Sequence, residues 1–178
     1  MDVETARLRL TPWSDDHLGA LAVLNADPEV TRFLGGRPFS PAESAALSDR
    51  LVAHWERYGY GLWAVVEKAS DATLGFVGLS HPLFIPELAG EVEVGWRLDS
   101  SAWGKGYATE AGVEAIGWAF GELGLERVIS IIDPANGASL AVARKLGLSR
   151  VGEVRHPERG IALEVLERVR RSHPPEGE

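Results

Sequence analysis

The chain has no cysteine among its 178 residues. That excludes a disulfide framework, a thiol nucleophile and a thiolate-bound metal. Long apolar runs are missing too, and none approaches the roughly 20 residues of a membrane-spanning helix. Basic residues are outnumbered by acidic ones, 18 against 26, for a net charge of −8. Broad nucleic-acid binding relies on many Lys and Arg contacts to phosphates, so this balance argues against it. It leaves room for one small anion in a local nest of N–H groups, and it tilts the surface towards cationic partners such as amines. The opening Met1-Asp2-Val3-Glu4 lacks the basic and apolar regions of a secretory signal, so a cytoplasmic protein is expected. His17, His54, His81, His156 and His173 are not spaced as metal ligands, and no metal is expected.

Length and a hydrophobic fraction of 45% suit one domain with a buried core. Residues 1–171 are expected to form it, and the polar, proline-containing 172–178 to be a disordered tail. Arg7 to Trp13 alternates as a half-buried strand. Ser14 starts a helix through about Leu24, and Ser40-Pro41-x-Glu43 is a capping box for a helix ending before Gly59. Asn25 to Ser40 and His81 to Gly90 read as loops. Leu62–Glu67 and Thr73–Ser80 are strands, with Gly75 and Gly78 marking a bulge or a close backbone approach. In Glu91–Leu98, Val92, Val94, Trp96 and Leu98 face one way, and Glu91, Glu93, Gly95 and Arg97 the other. A largely buried helix follows over Tyr107–Glu122, its apolar positions including Val113 and Phe120. Val128–Ile132 is a central strand, Asn136 to about Leu146 a helix, and Leu148–Val154 and Ile161–Val169 are closing strands. The order β-α-α-β-β-β-α-β-α-β-β predicts a mixed α/β (α+β) fold, with helices covering a sheet.

The segment Leu98 to Ala111 runs from a strand through Gly104-Lys105-Gly106 into a helix. Unpaired N–H groups in a first helical turn, with the helix dipole behind them, make such a junction an anion site. It is not a Walker loop: Asp99 stands where the first glycine is needed, and Gly106 follows Lys105 where Ser or Thr is needed. A dinucleotide fingerprint also fails, because Thr109 occupies the third glycine position and the turn follows a late strand.

Glu93-Val94-Gly95-Trp96-Arg97-Leu98 followed by Trp103-Gly104-Lys105-Gly106-Tyr107-Ala108-Thr109-Glu110-Ala111 resembles the acetyl-CoA segment of the GNAT N-acetyltransferases. Asn136-Gly137-Ala138-Ser139 with Arg144-Lys145-Leu146-Gly147-Leu148, and Thr5-Ala6-Arg7-Leu8-Arg9-Leu10, resemble two further stretches of the branch that includes the ribosomal-protein-alanine N-acetyltransferases. The three occur in the family's order and cover nearly the whole chain. The resemblance implies a central, mostly antiparallel sheet of roughly six to seven strands with about four helices. It implies acetyl-CoA as co-substrate, with Trp96, Leu98, Trp103, Gly104, Lys105, Gly106, Tyr107, Ala108, Thr109, Asn136 and Ser139 as its candidate contacts. Ser101 departs from the Gln or Arg that many members carry three residues before the first glycine; the grip is mostly main chain, so binding is expected to survive.

The resemblance makes Glu93 the first candidate for general base, acting directly or through a water, with Glu91 second; Glu93 is equally readable as an ion-paired strand residue. It also places an oxyanion donor among the backbone N–H groups of Trp96 to Leu98, freed by a bulge at Gly95, though Gly95 also suits a neighbour needing room. Asn136 is a good N-cap in its own right. The resemblance makes Ser139, one turn on, a candidate to protonate the departing sulfur; many members place a tyrosine acid after this helix, no tyrosine follows Tyr107 here, and serine or water is left for that part, though Ser139 also reads as an ordinary first-turn serine. The expected reaction is direct acetyl transfer to a primary amine, of a protein N-terminus or a small molecule, by a monomer or homodimer. Two rivals stand beside it. One is an aminoglycoside or polyamine acetyltransferase with a cleft built from Asp27, Glu29 and Glu87 to Glu93; the other is an inactive CoA-binding regulatory module.

Overall fold

β-Branched and aromatic runs bounded by turn residues become the strands of one sheet. The computed structural model describes residues 2–170, and the expected tail lies outside the described residues. The strands are β1 (Val3–Glu4), β2 (Leu8–Pro12), β3 (Leu62–Glu67), β4 (Thr73–Ser80), β5 (Glu93–Leu98), β6 (Arg127–Ile132), β7 (Ser149–Arg155) and β8 (Ala162–Val169). The helices are α1 (Leu18–Ala26), α2 (Pro28–Thr31), α3 (Pro41–Tyr58), α4 (Tyr107–Gly121) and α5 (Gly137–Lys145). The sheet is eight-stranded in the order β1-β2-β3-β4-β5-β6-β8-β7. All neighbours are antiparallel except β5 and β6.

The sheet is buried on both faces, and β3 shows how. Trp63 and Val65 face α4 with Leu8, Leu10, Val77, Val94 and Ile116. Leu62 and Ala64 face α1 and α3 with Leu21, Leu24, Leu51 and Phe76. A strand covered twice reads as a continuous apolar run rather than an alternation. The capping box of α3 is formed: the Ser40 hydroxyl accepts from the Glu43 N–H, and the Glu43 carboxylate accepts from the Ser40 N–H.

Four differences from the expectations have local causes. The sheet has eight strands rather than six to seven because β1 is two residues long, too short to show a period. Asn25–Ser40 is not all loop: Asp27 accepts from the Glu29 N–H and, with Pro28 next, starts the short α2. Val113 is 50% exposed, so α4 keeps one apolar residue on its outer side. No bulge occurs at Gly95, where the β4–β5 register runs unbroken. The irregularity lies one strand away, between Val65 and Val66 opposite Gly75. A methyl group on Gly75 would fall 2.2 Å from the Arg97 carbonyl oxygen, and Gly75 has φ +136. The close backbone approach expected there is therefore real, and it seats β5.

Candidate active site

The site begins with a gap in the sheet. β5 and β6 share the single register pair Glu93↔Ile129, with the Ile129 N–H donating to the Val92 carbonyl. A continued parallel ladder would send the Ile131 N–H to the Val94 carbonyl. It donates instead to Glu93 Oε1, at 3.3 Å. The strands have parted. The Asp99 N–H donates to the Leu74 carbonyl, so the odd-numbered amides at this end of β5 turn to β4 and the even-numbered ones turn away. The N–H groups of Trp96 and Leu98 thus face the gap. A splay, rather than a bulge at Gly95, frees them.

At the end of β5, the left-handed φ of Gly104 (+73) and Gly106 (+84) folds the chain back into α4. The N–H groups of Gly104, Lys105, Gly106, Tyr107, Ala108 and Thr109 have no intramolecular acceptor among the described residues. The first intramolecular bond of the helix is Glu110 N–H to the Gly106 carbonyl, at 2.9 Å. Six consecutive free donors at a helix N-terminus form a nest for a phosphate-like anion.

Residues from the turn between β1 and β2 lock this junction. The Thr5 hydroxyl and the Arg7 N–H donate to Glu110 Oε1 at 2.6 and 2.9 Å, and Arg7 Nε donates to Oε2 at 2.7 Å. Arg7 Nη1 also donates to the Lys105 carbonyl, at 2.9 Å, and its guanidinium lies 4.4 Å from the Tyr107 ring centre. Burial alone would raise the Glu110 carboxyl; the bonds from Thr5 and Arg7 outweigh it and hold the group below its ordinary range. The Thr5-x-Arg7 pattern therefore has a local purpose that sequence alone did not reveal.

Two cavities, of about 410 and 340 Å³, open on either side of the splay. Each is large enough for part of a small ligand. The larger is lined by Trp96, Leu98, Trp103, Gly104, Gly106, Tyr107, Ala108, Thr109, Asn136 and Ser139, that is, by every candidate contact except Lys105. The smaller holds Glu93, Gly95, Asp133, His156 and Arg159. Each of the three stretches Asn25–Ser40, His81–Gly90 and Arg155–Gly160 adds a residue to its wall, through Phe33, Phe84 and Arg159. The two cavities meet at Trp96, Arg97, Asn136 and Ser139.

Individual groups are tightly placed. Glu93 keeps partial access to the smaller cavity, yet protein atoms enclose its carboxyl. Burial pushes its pKa up to about 7, against the smaller opposing effect of the Ile131 N–H. Asn136 caps α5 by accepting from the Ser139 N–H at 3.1 Å. Ser139 Oγ accepts from Trp96 Nε1 at 3.3 Å, which leaves its own proton for the cavity. Trp103 Nε1 donates to the Leu98 carbonyl at 2.8 Å, fixing the corner between β5 and the turn. Glu91 is ion-paired with Arg127 and does not line either cavity. Asp27 accepts from the Ser100 hydroxyl and the Glu29 N–H. Of the carboxylates expected of a polycation cleft, Glu29 lines the larger cavity and Glu93 the smaller, while Asp27 and Glu91 are engaged by Ser100 and Arg127. His81 bonds Tyr60 and the Glu91 carbonyl away from the cavity wall. Among the described residues, no group of His, Asp and Glu is arranged to hold a metal ion.

A family profile described as "Acetyltransferase (GNAT) domain" matches residues 7–149. The chain belongs to the GNAT acetyltransferases. It is an acetyl-CoA-dependent acetyltransferase. A GNAT structure, the acetyltransferase from Agrobacterium tumefaciens str. C58, superposes with a TM-score of 0.82 at 26% identity, covering 96% of this chain and 95% of that one. The ribosomal-protein-S5-alanine acetyltransferase from Vibrio fischeri shares the fold, with a TM-score of 0.75 at 19% identity over 95% and 96% of the two chains. Among curated relatives, the FsC-acetyl coenzyme A-N(2)-transacetylase of Aspergillus fumigatus is 32% identical over 158 residues, which are 84% of this chain and 65% of that protein. This GNAT chain thus spans about two thirds of that relative's length. Arg97 and Arg159 were not singled out from sequence. The alternation of β5 put Arg97 on the Glu93 face, and that was the available signal.

Proposed function

We propose that this GNAT enzyme moves acetyl from acetyl-CoA directly to a primary α-amine, in one complex and without an acyl-enzyme. The observation that carries the reading is the meeting of two cavities at Trp96 and Ser139, one walled by the free N–H nest and the other holding Glu93. The N–H groups of Gly104 to Thr109 hold the CoA pyrophosphate, and the gap between β5 and β6 takes the pantetheine arm. The Trp96 and Leu98 N–H groups point where negative charge develops on the thioester oxygen.

Glu93 accepts the proton of the amine. An α-ammonium group has a pKa of about 7.7–8.0, so about a tenth is neutral at pH 7, whereas a lysine of pKa about 10.4 is neutral only about four parts in ten thousand. A base near 7 is matched to the first and poorly to the second. The amine nitrogen then attacks the thioester carbon, and the C–S bond breaks. The Ser139 hydroxyl donates its proton to the departing thiolate, whose thiol pKa of about 8.5 makes it a good leaving group, and the second proton lost by the acylated nitrogen restores that hydroxyl. No step calls for a metal. The relative named as an acetyl coenzyme A-N(2)-transacetylase supports transfer from acetyl-CoA to a nitrogen.

Thiol release from acetyl-CoA, measured across a panel of α-amines, polyamines and aminoglycosides, tests the reading. Turnover on α-amines that falls about 10²–10⁴-fold in Glu93→Gln is expected. Acetyl-CoA binding with no thiol release on any amine would favour a regulatory module. Turnover unchanged in Glu93→Gln would remove Glu93 from the mechanism.

A further inference from the structure

Arg97 is the charged side chain common to both cavity walls. No carboxylate lies within 4.0 Å of it among the described residues. Its Nη1 donates to Asn25 Oδ1 at 2.7 Å, and its guanidinium lies over the rings of Phe39 and Phe76. Asn25 is fully buried, and its Nδ2 donates to the Ser44 hydroxyl at 3.1 Å, which fixes the amide oxygen towards Arg97. The cation is thus held by neutral groups. A half-buried charge without an opposite charge is costly unless water or a ligand supplies partners. Burial, helped by Arg50, lowers its pKa to about 10, so it stays charged at neutral pH.

The neighbours do not supply that charge. Asp133 accepts from the Ala135 N–H and sits 3.9 Å from Arg159, and Asp27 is taken by Ser100. Glu93 stands four residues back on the same face of β5, about 13 Å away between Cα atoms. Gly95 lies between them. A methyl group there would meet no atom within 4 Å, so the floor between base and cation is open. Side chains on one face of a strand stand side by side, so an acceptor touching both heads spans roughly 7–13 Å between its amine and its anion, depending on whether it lies between the heads or over them. That is about two to four extended residues.

We propose that the acceptor is an α-amine carrying a carboxylate about two to four residues' length away, with the amine at Glu93, the carboxylate on Arg97 and its middle over Gly95. This rests on the acetyl-transfer reading above and narrows its substrate class to short acidic amino-acid derivatives. The same chemistry is offered by a free dipeptide or by a protein N-terminus with an acidic residue near its start.

The test is acetyl transfer to Gly, Gly-Gly and Gly-Gly-Gly and to their C-terminal amides, which keep the α-amine and vary the charge and its distance, with each kcat/KM corrected for that amine's own neutral fraction. The expected result is a preference in kcat/KM of about 10–100-fold for the Gly-Gly or Gly-Gly-Gly acid over its amide, the range of a charged hydrogen bond. In Arg97→Gln that preference is lost through acceptor KM, in Arg97→Lys it is partly kept, and acetyl-CoA affinity is unchanged in both. Amides used as well as acids would overturn the inference and leave acetyl transfer standing. No transfer to any of the six would also overturn it, and transfer to other amines would then show the enzyme reading to be intact. An acetyl-CoA affinity that falls as far as acceptor affinity would assign the cation to CoA instead. A hexapeptide amide beginning Gly-Asp separates the sources: transfer at or above the rate of Gly-Gly points to a protein N-terminus, and slower transfer to a small molecule. The wild-type comparison needs no variant, so it holds even where Arg97→Gln fails to fold.

Discussion

Replacing Glu93 with Gln keeps the side chain's shape and an acceptor for the Ile131 N–H, and removes the charge. The consequence for stability follows from the raised pKa. Between about pH 4.5 and 7 the folded protein holds a proton on Glu93 that the unfolded chain has already released. Stability therefore falls as pH rises through that window. Below it both states are protonated and there is no penalty; above it the penalty is complete. A rise from 4.5 to about 7, at about 1.36 kcal/mol per unit, sets an upper value of about 3 kcal/mol. Partial access to the cavity lets water screen the carboxylate, so about 1–3 kcal/mol is the working range. Glu93→Gln should be more stable than the wild type at pH 8 by that amount, or about 3–9 °C in melting temperature for a chain of this size. At pH 4 the two should melt together. Thermal unfolding from pH 4 to 8, paired with kcat/KM profiles, measures both effects. The wild-type rate should rise through a group near 7, and the variant should lose that limb. A variant that melts earlier at pH 8 than the wild type would refute the account of Glu93 as a destabilised, functional carboxyl.

Ser139→Ala should lower kcat roughly 10- to 100-fold with little change in the KM for acetyl-CoA, at the low end of general-acid effects because water can reach the sulfur; steady-state kinetics with an unchanged kcat would remove the hydroxyl from the mechanism. Gly106→Ala forces a side chain onto φ +84 beside Arg7 Nη2, 3.5 Å away. It should cost about 1–2 kcal/mol in denaturant unfolding and weaken acetyl-CoA binding by calorimetry. Gly75→Ala is harsher, because its methyl group meets the Arg97 carbonyl at 2.2 Å and its φ is unfavourable as well. A loss above about 3 kcal/mol is expected, and a mild one would mean that β4 and β5 can slide apart.

The sequence was most legible where a residue's conformation is decided locally. The capping box at Ser40, the left-handed turn at Gly104 and Gly106, the cap at Asn136 and the strand pattern of Leu62–Glu67 each depend on a few neighbouring residues. All four are formed. Two-residue β1 and four-residue α2 were not legible, since neither completes a period. Long-range partners were harder still. Nothing near Glu110 announces that its carboxylate is tied to Thr5 and Arg7, more than a hundred residues earlier. Arg97 looks like an ordinary outward strand residue until Asn25, Phe39 and Phe76 are seen to close around it.

The decisive feature of the site is a missing set of hydrogen bonds, and a regular pattern cannot show what is missing. Glu93 to Leu98 alternates cleanly and pairs with β4 without a slip. Only the other edge of the strand is irregular, because β6 leaves it after Ile129. The parting explains several facts together. It turns the Trp96 and Leu98 N–H groups into donors facing a cavity. It also leaves the Ile131 N–H to Glu93, drawing that carboxyl towards the apex where the strands divide. The free donors and the placement of the Glu93 carboxyl share one cause, so they should fail together. A substitution that prolonged the β5–β6 ladder would remove the donors and release Glu93 from Ile131 at the same time. Changes at Gly104 or Gly106, by contrast, should disturb acetyl-CoA binding while leaving the raised pKa of Glu93 in place.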